Sequence, residues 1–357
     1  MEFANMSEVS TFALRLKSAR LMKGFSMDDL CERMEPKVSK MAISKYESGK
    51  MDPDSEVLIS LADALDQTPD YFFRPFTFKL ESMRFRKKQN LGAKQIESVK
   101  MNIADFVERY VNIEEICNDI NIDVDFASVP VASAEQVKAA AVKLRERWCL
   151  GKDGIVNVIE MLEEHGVKVV EIDAPDGFDG VSTKVNDVIP VIVLGKNFLY
   201  ERKRFTALHE LGHLLLNFED RFSDKEQESL CNLFANEMLL PETELRRILG
   251  NCRKKVSVKE LRPIQMRFGI SCDAIMYKAK ECGVVSAAFH RGYCIRKNQS
   301  PEYKSFVERS DSPAETSHRF ESLVYKALEN ELITMSKAAS LLRTDVMTIR
   351  KELSTAW

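Results

Sequence analysis

Arg204-Phe205-Thr206-Ala207-Leu208-His209-Glu210-Leu211-Gly212-His213-Leu214-Leu215-Leu216 decides how this chain is read. It sets His-Glu-x-x-His in an apolar stretch compatible with a helix. Residues four apart share a helical face, so His209 and His213 can offer two imidazoles to one metal ion. Glu210 lies beside them, within reach of a water on that metal. This is the pattern of zinc-hydrolase chemistry: the metal lowers the pKa of its water to about 7 and polarises a carbonyl, and the glutamate takes the proton. The chain has only five histidines in 357 residues, so the spacing carries weight.

A catalytic zinc keeps three protein ligands and one open position. The next helix-like segment, Glu228-Ser229-Leu230-Cys231-Asn232-Leu233-Phe234-Ala235-Asn236-Glu237-Met238-Leu239-Leu240-Pro241, offers the third. Its apolar residues suit a buried side, and Pro241 ends the run. Glu228 follows His213 at a distance that allows a turn and an antiparallel return, and it is the first choice. Rivals are Glu219, Asp220, Asp224 and Glu237. Asn232, one turn after Glu228, is placed to orient a ligand or bind substrate backbone.

Around the motif, Arg204 to His213 followed by Glu228-x-x-Cys231-Asn232-x-Phe234-Ala235-x-x-x-Leu239-Leu240-Pro241 closely resembles the ImmA/IrrE metallopeptidases. Similar too are Leu144-Arg145-x-x-Trp148-x-Leu150-Gly151, Leu162-Glu163-x-x-Gly166-Val167-x-Val169, Asp179-Gly180-Val181-Ser182 and Pro190-Val191-Ile192-Val193-Leu194. The resemblance covers about residues 136–285. It implies His209, His213 and Glu228 as metal ligands and Glu210 as general base or acid. Cys231 departs from the family, which commonly has alanine there, and leaves a thiolate ligand as the rival to Glu228.

A histidine pair can also be a hydrogen-bonded core pair in an inert bundle, and Leu208, Leu211, Leu214 and Leu215 would pack equally well there. That reading requires two histidines, a glutamate and a third carboxylate to coincide by chance.

The N-terminus carries a second message. Phe12–Gly24 alternates apolar and basic residues at helical spacing. Ser26 caps Met27–Met34, with Asp28 and Asp29 in the first turn. Ser39 caps Lys40–Glu47, and Pro53 opens Asp54–Leu65. Short helices with tight turns suit a helix-turn-helix, whose second helix enters the DNA major groove. The block Val38-Ser39-x-x-x-Ile43-Ser44-x-Tyr46-Glu47-x-Gly49-Lys50-x-x-Pro53 resembles the XRE/Cro-type DNA-binding domain over about residues 10–75. That resemblance implies Ser39, Lys40, Met41, Ser44 and Lys45 toward DNA, with Ile43 in the core. The turn before Ser39 is about two residues longer than the family's, and Met27 replaces a phosphate-contacting glutamine. A helix-turn-helix used only for dimerisation or protein contact is the alternative.

Between Lys79 and Lys100, seven basic residues (Lys79, Arg84, Arg86, Lys87, Lys88, Lys94, Lys100) face two acidic ones (Glu81, Glu97), which suits either a phosphate footprint or a solvated linker. Ile96–Ile120 has helical apolar spacing and reads as a long connector or coiled dimer arm. Asn121–Ser133, with Pro130, reads as extended or linker-like. Net charge is −3 and the pI about 6.1, so any DNA affinity is local. Eight scattered cysteines form no Cys-x-x-Cys pair, which argues against a zinc finger or thioredoxin motif and suits reduced thiols. No secretion signal or membrane-length apolar run is present, and a cytoplasmic protein is expected.

Ile155–His165 reads as an amphipathic helix, and Val167–Ile172, Val181–Val185 and Val188–Leu194 as strands, the last two joined at Asn186-Asp187. Ile189–Leu194 is the candidate edge strand for pairing with a substrate backbone. Val258–Gly283 resembles the small helical appendage that follows such peptidase domains. Arg291–Ser317 reads as a polar loop, and His290 and His318 as structural or exposed. Phe320–Leu353 returns to helix, with Thr334–Leu342 opening a short helix pair of open role. Tyr200, Arg202 and Arg204 are the residues nearest in sequence that could stabilise an oxyanion.

The expected molecule is α+β and mainly helical. It has an all-α helix-turn-helix (1–78), a basic helical connector (79–135), a zincin-like domain with a small sheet (136–285) and a helical C-terminal region (286–357). Its expected cofactor is Zn2+. Its expected partners are double-stranded DNA and a repressor or antitoxin-like protein substrate, with no membrane, and a homodimer is compatible. The expected function is a DNA-binding zinc endopeptidase that regulates genes by cutting a repressor-type protein, with Arg204 and Asn232 supporting the site. The competing reading is a transcriptional regulator whose zinc domain is a sensor or dimerisation scaffold.

Overall fold

Ser10, Ser26, Ser39 and Asp54 each accept a hydrogen bond from the backbone N–H three residues on, at 3.3, 3.0, 3.2 and 2.9 Å, and each starts a helix. The helices are α1 (Thr11–Met22), α2 (Met27–Arg33), α3 (Lys40–Glu47) and α4 (Ser55–Ala64). The computed structural model describes residues 10–75, 92–120, 128–173, 178, 180–185 and 188–356. Lys79, Arg84, Arg86, Lys87 and Lys88 of the basic run, Asp179, and the Asn186-Asp187 turn lie outside the described residues. The chain folds as two compact units, residues 1–120, 185–187 and 320–357 in one and 121–184 and 188–319 in the other. The molecule is α+β and mainly helical.

In the first unit, Phe12, Leu16, Leu30, Ile43, Leu61 and Phe72 close one core, with Leu16, Leu30, Ile43, Leu61 and Phe72 all fully buried. Burying each such side chain stabilises by roughly 1.5–3 kcal/mol. The long turn before α3 is pinned by buried Met34 and by the Glu35 N–H donating to Ser60 Oγ at 2.9 Å. A fifth helix, α5 (Ala93–Cys117), follows.

The second unit opens with β1 (Val129–Val131), α6 (Ala134–Arg147) and α7 (Val158–Glu164), which is shorter than the apolar spacing suggested and is capped by Asn157. Then come β2 (Lys168–Ile172), β3 (Val181–Val185), β4 (Ile189–Gly195), α8 (Tyr200–Leu215), β5 (Leu216–Phe218) and α9 (Asp224–Leu239). The sheet order is β2-β4-β3, with β2 and β4 parallel from Lys168↔Val191 to Ile172↔Gly195. This corrects the docking expectation. Ile189–Leu194 lies in the centre of the sheet with both edges paired, and β2 and β3 are the edge strands. Pro130, expected in a linker, sits in β1, which pairs parallel with β5.

α10 (Glu242–Leu249), α11 (Val258–Phe268) and α12 (Cys272–Glu281) complete the apolar core around α8 and α9. Residues 291–317, expected as a loop, are largely two helices, α13 (Ala287–Gln299) and α14 (Pro301–Glu308). Ser286 caps the first, and Ser300 with Pro301 starts the second.

Three last helices, α15 (Arg319–Glu329), α16 (Met335–Leu342) and α17 (Val346–Ala356), return to the first unit. Phe320, Val324, Leu341 and Ile349 form a core with Tyr110 and Ile113 of α5. The apolar face of α5, expected as a long connector or a coiled dimer arm, is therefore covered by the chain's own C-terminal helices. Among the described residues no helix is long and apolar enough to cross a membrane.

Candidate metal centre

α8 turns Ala207, Leu208, Leu211, Leu214 and Leu215 into the core, which leaves His209 and His213 together on the opposite side. Their rings stand edge to face at 87°, and their Nε2 atoms lie 3.0 Å apart. α9 begins with a capping box in which Ser223 and Glu226 satisfy each other's backbone N–H groups. This fixes where Glu228 falls, on the first turns of α9. Its two carboxylate oxygens lie 3.3 Å from His209 Nε2 and 3.5 Å from His213 Nε2. The three side chains offer ligand atoms all within 4.8 Å of one another.

Close passage of α9 over α8 depends on Gly212. A Cβ there would sit 3.2 Å from Phe234 and 3.4 Å from Cys231 Sγ. At the far end, Lys278 Nζ reaches the carbonyls of Asn236 (3.3 Å) and Leu240, and Arg145 reaches that of Met238. These cations meet the negative end of the α9 dipole.

The donor set fits a tetrahedral divalent ion. Ligands about 2.0–2.1 Å from such an ion lie roughly 3.3 Å from one another, close to the 3.0, 3.3 and 3.5 Å observed. Each imidazole also has its other nitrogen engaged. His209 Nδ1 faces Asn232 Oδ1 at 2.9 Å, and His213 Nδ1 faces Cys231 Sγ at 2.9 Å. With the proton on Nδ1 in each ring, two Nε2 lone pairs and a carboxylate point at one another, an arrangement that calls for a cation between them.

Glu210 is buried on the same helix, and Ser182 Oγ of β3 donates to its Oε2 at 2.6 Å. Gly180 lets the strand approach: its φ is +98°, and a Cβ there would meet Thr206 Cγ2 at 2.6 Å. The sequence reading gave Ser182 no role, because nothing local marks a serine as the partner of a glutamate 28 positions away.

Asn232 is at the centre, bonded to His209. Arg204 is not. It is fully buried, paired with Glu315, and donates to the carbonyl of Ile155 at 2.6 Å, so it fastens α8 to neighbouring loops. Of the rival ligands, Glu237 is paired with buried Lys278 at 2.5 Å, and Glu219 with Arg221 at 2.8 Å. Asp220 and Asp224 are exposed. Cys231 serves as partner to a histidine, outside the three-residue cluster. Tyr200 has Arg204 over its ring, and Arg202 stacks on Phe198. Beside the centre, Phe205, Asn232, Leu233, Asn236, Ala274 and Tyr277 line part of a cavity of about 820 Å³. His290 also faces this cavity, and His318 Nε2 lies 2.6 Å from Thr316 Oγ1.

In the first unit, Ser39, Lys40, Met41, Ser44 and Lys45 form the exposed side of α3, and Ile43 is fully buried. A buried bidentate pair, Arg20 Nε to Glu47 Oε1 at 2.6 Å and Arg20 Nη2 to Glu47 Oε2 at 2.8 Å, ties α3 to α1. Lys40 is paired with Asp28 at 2.6 Å. Of the basic run, Lys94 lies 3.6 Å from Asp29 and Lys100 4.0 Å from Glu97.

Comparison with known proteins gives two domain matches. Residues 162–280 match the family model of the Peptidase M78 IrrE N-terminal-like domain, and residues 16–72 match that of a helix-turn-helix domain. The chain thus carries one segment similar to a helix-turn-helix domain and another similar to a peptidase-family domain. No curated protein matches it. Among solved structures, a Mycobacterium tuberculosis transcriptional regulator aligns at 14% identity and a TM-score of 0.29, over 48% of this chain and 51% of that one. The chain thus spans about half of that regulator, and at this level the likeness bears on neither fold nor function.

Proposed function

We propose that this protein is a DNA-binding, zinc-dependent endopeptidase that controls gene expression by cutting a repressor-type or antitoxin-like protein. The carrying observation is the cluster of His209 Nε2, His213 Nε2 and Glu228, with both imidazoles held by a second hydrogen bond. These three residues would hold the ion. When bound, zinc supplies a polarised carbonyl and a water acidified to about pKa 7.

The rest of the chemistry belongs to the chain. Glu210 accepts the proton of the attacking water and passes it to the leaving amine. Ser182 keeps the Glu210 carboxylate aimed at the cluster. β3, one of two edge strands and the one that carries Ser182, has backbone groups to pair with an extended substrate, and this supports a polypeptide over a small molecule. The helix-turn-helix brings the enzyme to DNA where its substrate is bound, in a cytoplasmic setting.

Wild type and Glu210→Gln are incubated with zinc and the repressors encoded beside this gene, and products are read by mass spectrometry. A defined cut by wild type alone supports the proposal. Absence of any zinc-dependent cut overturns it in favour of a regulator whose metal domain is a sensor or scaffold.

A further inference from the structure

The helix pair α16–α17 is absorbed by neither the peptidase-family domain nor the N-terminal helix-turn-helix, and its geometry is specific. Thr334 caps α16, accepting from the Lys337 N–H at 3.2 Å. The helix ends at Arg343 in the left-handed region (φ 54°), with the Thr344 N–H closing on the Ala339 carbonyl at 3.0 Å. Asp345 then caps α17, accepting from the Thr348 N–H at 2.9 Å and the Thr348 hydroxyl at 2.7 Å. Only Arg343, Thr344 and Asp345 separate the helices. Buried Ala338 and Ala339 on α16 have side chains small enough for a close crossing. This is the tight three-residue connection of a helix-turn-helix.

α17 also repeats α3 at its cap and at several following positions. Both are entered from a capping side chain, Ser39 or Asp345. The second residue is a methionine that projects into solvent, Met41 at 69% exposure and Met347 at 67%. The fourth is an isoleucine at 0% exposure, Ile43 or Ile349. The fifth and sixth are exposed: Ser44 and Lys45 on α3, Arg350 and Lys351 on α17. The outward face of α17 thus carries two basic side chains, as that of α3 does with Lys40 and Lys45, beside the exposed Glu352. α16 and the turn after it are fastened to α5 and to Arg74. Arg74 Nη2 donates to Ser340 Oγ at 2.7 Å, Arg343 pairs with Asp105 at 2.7 Å, and Arg109 donates to the Leu341 carbonyl.

We infer that α16–α17 is a second helix-turn-helix and that α17 binds double-stranded DNA through Met347, Arg350 and Lys351. Basic side chains at the fifth and sixth positions reach phosphates and guanine edges of the major groove, and the methionine gives apolar contact to a thymine methyl. The inference shares the DNA-binding reading of the first unit but stands on the α17 surface alone.

The test is fluorescence anisotropy of a labelled 40-base-pair mixed-sequence duplex with the full-length protein, from 50 to 200 mM NaCl. Arg350→Ala/Lys351→Ala is expected to weaken binding at 50 mM by about tenfold or more and to reduce the salt slope by about 2, near 0.9 per phosphate contact. Both positions are exposed, so the melting temperature stays unchanged, and Arg350→Lys/Lys351→Arg retains the wild-type slope. A parallel Lys40→Ala/Lys45→Ala variant reports on α3. Loss in the α17 variant supports the inference whatever α3 does. An α17 variant with wild-type affinity and slope overturns it, and if only the α3 variant loses binding, DNA reading belongs to the N-terminal pair alone.

Discussion

Ser182 Oγ donates a 2.6 Å hydrogen bond to Glu210 Oε2, joining β3, an edge strand of the small sheet, to the helix that carries both histidines. Glu210→Gln is expected to keep the fold and the zinc content while cleavage falls by about 10²–10⁴-fold, as for loss of a general base. Ser182→Ala removes only the aim of the carboxylate. It should lower kcat about tenfold, in line with a hydrogen bond to a charged group, with zinc content unchanged. Metal analysis and single-turnover cleavage separate the two variants.

Zinc should also act as a clip. His209 and His213 are on α8 and Glu228 is on α9, so an ion there joins two helices. At a free zinc concentration 100 times Kd, the second unit should gain about 2.7 kcal/mol. A chelator should remove that gain, and Glu228→Ala should abolish the zinc dependence of the melting temperature. A melting curve that ignores zinc would count against the site.

Arg20 and Glu47 are both buried and paired two-fold. Arg20→Met leaves Glu47 as an uncompensated charge and should destabilise the first unit by about 3–5 kcal/mol. Arg20→Met/Glu47→Leu should recover most of the loss. Urea titration followed by circular dichroism measures both, together with DNA affinity, since α3 hangs on this pair.

Glu242 has its pKa pushed down to about 2. Burial, the largest influence, works upward, and hydrogen bonds from Lys138 and Arg246 outweigh it. A depressed carboxyl contributes stability that is fully present above its unfolded value and is lost as pH falls through the folded one. The second unit should therefore weaken between pH about 4.5 and about 2. Glu242→Gln should flatten that slope in urea midpoints measured across the range.

The metal cluster was legible because helical spacing and residue type are local properties. His209 and His213 needed only the helix period, and Glu228 a turn of plausible length. The helix caps at Ser26 and Ser39 were legible for the same reason. What failed was long-range or weakly patterned. Arg204 looked available beside the motif, but its partner Glu315 comes 111 residues later. The apolar face of α5 looked like a dimer arm because Phe320 and Val324 lie some 200 residues further on. α13 was missed since only Tyr293 of its side chains is fully buried, which leaves little periodicity to read. For β4, Val191 to Leu194 are all buried, and a continuous apolar run means a strand covered on both faces. That signal pointed to the centre of the sheet and was read as an edge.

The return of α15–α17 onto α5 makes the unit with the peptidase-family match an insertion within the unit with the helix-turn-helix match. A chain cut after residue 120 is then not a minimal DNA-binding fragment. It lacks the helices that cover Tyr110 and Ile113, and it would present that bare stripe to its neighbours and self-associate.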